Sequence, residues 1–99
     1  MRTYENLLLP SDDWYVTFVI NLDDDGRFRY EETWSCYAGS TDSRAEGKWR
    51  QTGSVVVLET ERIEGALRLG LEVGRKFHAT ERDDALDFGF DFIMHKRDE

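Results

Sequence analysis

Glu32 stands where a lone carboxylate is costly. Phe28, Tyr30, Glu32 and Trp34 fall at every second residue, so on a strand they share one face, and the rest of that face is aromatic. A carboxylate pointing inward among aromatic rings must be paired, protonated or placed at a wet end of the fold. Arg75 is a candidate partner, because it continues the face of Leu67, Leu69, Leu71 and Val73. An inward Glu32–Arg75 pair with Tyr30 and Trp34 beside it would be a polar anchor in an apolar cup, the usual build of a small-molecule site. A register shift of one residue, or a bulge at Gly74, would turn the same groups into a solvated rim. Glu32, Arg75, Tyr30 and Trp34 are therefore the candidate ligand-binding residues.

Asp87 and Asp91 flank Gly89 on the polar side of an alternating run. Carboxylates four residues apart on a strand are about 13 Å apart, at 3.3 Å per residue. That is too far for one metal or an acid–base pair, so a solvated face, or an edge charged against mispairing, is the simpler reading. With Tyr37 and Asp42 they form the candidate interaction surface. Cys36, His78 and His95 are scattered, with no spacing that local geometry would turn into a metal site or a Cys–His pair. Asp23-Asp24-Asp25-Gly26 lacks the length and the closing Glu of a calcium loop, so it reads as a turn. No catalytic residue, metal or cofactor is expected from this inventory.

The elements that must position these groups read as strands. Trp14–Leu22 alternates Trp14, Val16, Phe18, Ile20 and Leu22 against Tyr15, Thr17, Val19 and Asn21. The Asp-Gly turn at 23–26 leads to a returning strand over Arg27–Ser35, a hairpin signature. Residues 36–46 have no period and predict a loop, which makes Tyr37 and Asp42 loop residues. Gly47–Gln51 is a short strand, Thr52-Gly53 a turn and Ser54–Thr60 a β-branched strand. The stretch 61–80 is ambiguous between helix and strand. Its glycines would each cost about 1 kcal/mol in a helix, so strands are expected over 66–73 and 75–81. Leu86, Phe88, Phe90, Phe92 and Met94 then mark one last strand over 86–94. Tyr4–Leu9 could be a short helix acting as a plug.

Six to seven sequential strands with short links predict a single-domain, all-β, antiparallel up-and-down meander over 1–99, curled into a small barrel or half-barrel. Ninety-nine residues suit one core, and thirteen aromatics argue against disorder. No apolar run approaches the roughly 20 residues of a membrane span. A lone cysteine and an N-terminus unlike a signal peptide suggest the cytoplasm. The net charge of −8 is evenly spread, with ten acids against six bases in 1–50 and eleven against seven in 51–99. Such a surface disfavours nucleic acid and suits a basic protein partner, or simply solubility.

The run Val16 to Tyr30 with its Asp-Gly turn, then Glu46-Gly47-Lys48-Trp49 and Gly53 to Leu58, resembles the small lipocalin-like meander barrels of bacteria. The N-terminal domain of the copper-homeostasis envelope lipoproteins is one of that type. The resemblance implies a barrel fold and binding in or at the barrel mouth. Copper binding and envelope attachment do not carry over, because the chain has neither a Cys-x-x-Cys nor a lipoprotein signal. Two functions are expected to compete. One is an acidic, inhibitor-like interaction module with a basic partner, and the other a barrel holding a small amphipathic ligand. A small enzyme with a site assembled at the barrel mouth is a third option, and self-association through the last strand or through Val19 and Ile93 a further one.

Overall fold

The computed structural model describes residues 1–11 and 13–97, without the side chains of residues 10 and 11. Eight strands follow one another: β1 Arg2–Ser11, β2 Trp14–Leu22, β3 Arg27–Cys36, β4 Gly39–Thr52, β5 Val55–Glu64, β6 Lys76–Arg82, β7 Ala85–Asp87 and β8 Ile93–Lys96. Each pairs antiparallel with the next, and β8 returns to β1, closing an up-and-down barrel. No helix occurs among the described residues.

The β2–β3 hairpin forms as the Asp-Gly turn requires. Gly26 takes φ +85°, and Asp23 and Arg27 close the loop backbone to backbone. The register then carries Leu22↔Phe28 through Trp14↔Cys36. Tyr4, Val16, Phe18, Ile20, Leu22, Phe28 and Tyr30 fill the interior with Val56, Leu58, Leu86 and Met94. Side chains fill a narrow eight-strand barrel over most of its length.

Four elements differ from the sequence expectation. Residues 4–9 belong to strand β1, not to a helix. They pair with β2 from Arg2↔Leu22 to Leu8↔Val16 and give β2 the neighbour it would otherwise lack. The expected loop 36–46 is mostly strand, because β3 and β4 turn over Tyr37 and Ala38 with Cys36 opposite Gly39. Its inward residues are small, Ser43 and Ala45, since Glu32 and Tyr30 lie directly opposite them and occupy the interior. The expected strand 66–73 is instead an irregular loop that follows a longer β5. Finally, the single last strand 86–94 is two short ones, because Gly89, Phe90 and Asp91 all take positive φ. Phe88 donates its N–H to the Phe92 carbonyl across that turn.

The two ends of the barrel differ. One gathers the N-terminus and the turns β2–β3, β4–β5 and β6–β7. A polar cluster closes it. Glu81 accepts hydrogen bonds from Arg2 (2.7 Å), the Tyr4 hydroxyl (2.9 Å) and Gln51 (3.1 Å). The Arg2 guanidinium also covers the Trp49 ring at 4.9 Å. At the other end, β8 meets β1 only at Tyr4↔Lys96 and Glu5↔His95. Beyond that pairing Asn6 donates to the Ile93 carbonyl, and Leu7, Leu8 and Leu9 are exposed. This end carries the long loop 65–75 and the β7–β8 turn.

Candidate ligand cleft at the open end

Glu32 projects from the middle of β3 into the interior with no exposed surface. Its Oε1 accepts the Tyr30 hydroxyl at 3.0 Å and the Leu69 N–H at 3.0 Å. The Arg68 N–H lies 2.8 Å from both carboxylate oxygens. A charged acceptor with several donors is how a buried carboxylate is tolerated. Its donors here are main-chain amides of the loop, which would otherwise be unsatisfied at the end of the barrel. Burial pushes the Tyr30 hydroxyl strongly up, and the negative charge of Glu32 and the hydrogen bond to it push the same way. Tyr30 therefore stays a neutral donor.

Arg75, the partner expected from the sequence, does not reach Glu32. Its side chain is 77% exposed and pairs with Glu72 at 2.9 Å. The alternation of Leu67, Leu69 and Leu71 is real but is not a strand's. Leu71 is buried and Leu67 and Leu69 half-buried because the loop lies across the core. With no ladder partner there, the face of a strand cannot be projected onward to Arg75. Three glycines within ten residues (Gly65, Gly70 and Gly74) were the signal for a loop, and two of them take positive φ.

Anchored by Glu32, the loop builds a cleft with the β7–β8 turn. Its volume is about 410 Å³, and its walls come from Phe18 of β2, Phe77 of β6, Phe88 and Phe92 beside the turn, and Leu69 of the loop. Phe18 meets Phe92 edge-on at 4.8 Å between ring centres, and Phe88 lies 5.8 Å from both Phe77 and Phe92. Edge-to-face contacts of this kind hold rings in fixed orientations. Phe90 stands at the rim fully exposed, on a backbone with φ +54°. Bulky residues rarely adopt that conformation unless their surroundings enforce it.

Beside the cleft, Trp14 and Trp34 stack face to face, 4.8 Å apart and 5° from parallel. The Arg68 guanidinium covers the pair, 3.9 Å from the Trp34 ring centre and 5.5 Å from that of Trp14. Comparison with protein-family models, with curated proteins and with solved structures finds no match for this chain.

The sequence-derived candidates are distributed unevenly around this cleft. Tyr30 and Glu32 stand behind the loop and not on the cleft wall, so they position it. Trp34 lies beside the mouth in the tryptophan stack. Asp87 and Asp91 do not flank Gly89 on one straight strand. Asp87 caps the turn through the Gly89 N–H at 2.8 Å, and Asp91 sits in the turn with φ +61°. Tyr37 is exposed at the tip of the β3–β4 hairpin, and Asp42 is exposed on β4 opposite Thr33. Among the described residues, no three His, Cys, Asp or Glu side chains gather as metal donors. Arg68, Leu69 and the phenylalanines share no signal as one site in the sequence, because the loop, β2, β6 and the β7–β8 turn bring them together.

Proposed function

We propose that this barrel is a non-catalytic binding protein that holds a small apolar or amphipathic molecule in the phenylalanine cleft. The observation that carries this reading is the cleft itself. An apolar recess of about 410 Å³ opens at one end of the barrel, while the other end is closed by the Arg2–Glu81 cluster. Ligand sites run from about 300 to 1,000 Å³ and are lined mainly by apolar and aromatic side chains. A lipocalin-like type, with binding at the mouth, is part of the proposal and is supported by the closed meander topology.

A basic protein partner is supported by the net charge alone. Tyr37 and Asp42 lie on the β3–β4 hairpin and Asp87 and Asp91 at the β7–β8 turn, with β5 and β6 between them in the barrel order.

Gly70 offers a direct test. A Cβ there would first meet Phe77 Cε2, at 3.9 Å, so Gly70→Leu fills the cleft without removing a core side chain. Titration with the neutral fluorophore N-phenyl-1-naphthylamine should give saturable enhancement in the parent protein. Gly70→Leu should weaken it by about tenfold, as expected when one buried contact surface is lost. Equal affinity in the two proteins, or no enhancement in the parent, rejects the cleft as the binding site.

A further inference from the structure

We infer that the cleft takes an apolar small molecule bearing one carboxylate, and that Arg68 holds the carboxylate. This inference rests on the proposed cleft and adds the class of its ligand. Arg68 is the charged residue in a lining otherwise made of phenylalanine, leucine and glycine. A recess with apolar walls and one cation complements a molecule with an apolar body and one anionic group. A cationic amphiphile would meet like charge at the same point.

The way Arg68 is held favours a carboxylate in particular. Its guanidinium carbon lies over Trp34, 3.9 Å from the ring centre, and 5.5 Å from that of Trp14. A cation–π contact draws on the charge and not on the N–H donors, and two parallel guanidinium donors match a carboxylate's two oxygens. Among the described residues no carboxylate forms an ion pair with Arg68. The nearby turn carboxylate Asp87 is already engaged by the Gly89 N–H.

The main chain is fixed as well. Both oxygens of the buried Glu32 grip the Arg68 N–H at 2.8 Å. A side chain ordered at its backbone by Glu32 and at its tip by two indoles loses little further freedom on binding. Glu32 is thus a positioning residue, acting on the ligand through Arg68. At about 30 Å³ for each water-sized group, the recess has room for roughly a dozen such groups, enough for an acid of the size of octanoate.

Calorimetric titration with octanoate, octanol and octylammonium separates the possibilities, because the three share one apolar chain. Octanoate should bind about tenfold tighter than octanol, the worth of a paired charge at a half-open site, with octylammonium weakest. Arg68→Gln should erase the octanoate advantage, its folding checked by melting. Should that variant unfold, the Arg68 Nε–H resonance of the parent decides, since it must shift with octanoate and not with octanol. Equal octanoate and octanol affinities, or a preference that survives in a folded Arg68→Gln, overturn the carboxylate assignment and leave the cleft standing. Failure of all three to bind overturns both.

Discussion

A side chain that folding has removed from water must find its donors inside, and Glu32 finds most of them in the loop over the barrel end. The same hydrogen bonds that satisfy the carboxylate fix the main chain of Arg68 and Leu69. Glu32→Gln keeps the shape but sets an amide NH₂ among N–H donors. The cost should be about 3 kcal/mol, the scale for breaking a buried charge-assisted network. Amide exchange of Arg68 and Leu69 should speed up before that of β2 or β3. Unchanged exchange at those two amides would mean that the loop is held by its leucines instead. Alternation alone located Glu32 on the inner face, since the period of two is local. It could not identify the partner, because backbone amides leave no mark in residue type.

Turn chemistry is readable at the scale of elements, and strand interiors are less so. The β6–β7 connection pairs Arg82 with Ala85, and the two residues between them, Asp83 and Asp84, have φ +47° and +62°. Positive φ at both central positions is the I′ geometry, for which Asn-Gly is the preferred pair. Replacing Asp83-Asp84 with Asn-Gly should therefore stabilise the protein by about 1 kcal/mol, read as a shift in denaturation midpoint at unchanged slope. Two other signals misled for opposite reasons. Ser43 and Ala45 face the core yet carry almost no hydrophobic signal, because Glu32 and Tyr30 across the ladder fill the space. Leu67, Leu69 and Leu71 carry a strong signal without a ladder. Hydropathy records which residues meet the core, and a loop laid over a barrel mouth meets it as well as a strand does.

For the whole molecule, the closed end and the Tyr30–Glu32 pair together set the response to pH. Burial pushes the Tyr4 hydroxyl up from 10.0 to about 12, helped by its hydrogen bond to Glu81 and opposed by the charge of Arg2. Between those two values the unfolded chain has lost a proton that the folded one keeps. Stability is therefore full below about pH 10 and falls as pH rises toward 12, by up to about 3 kcal/mol for Tyr4 alone. Tyr30, also pushed up, adds to the same alkaline loss. Glu81 behaves in the opposite sense. Partial burial raises its carboxyl, but the hydrogen bonds from Tyr4 and Gln51 and the charges of Arg2 and Lys96 outweigh burial and hold it below 4.5. Its contribution is present above that value and is lost as pH falls through the lowered folded one. Melting temperature followed from pH 3 to 12 should show both limbs. Tyr4→Phe should shrink the alkaline limb and Glu81→Gln the acid one, and limbs unmoved by these changes would place the titrating groups elsewhere. Barrel closure followed from the meander pattern. The sealed end was invisible in the sequence, since Arg2 and Glu81 meet only when the last strands return to the first.

The register of β2 and β3 sets Cys36 opposite Trp14, at the end that carries the tryptophan stack. The thiol is exposed, and the chain has no other cysteine. A maleimide dye would therefore attach at one known point, on a strand and not on a mobile tail. Photoinduced electron transfer from an indole quenches many such dyes at contact distance. The natural protein thus comes with a built-in optical gauge at its mouth, where any rearrangement of the indole pair would be seen as a change in brightness without altering a single residue.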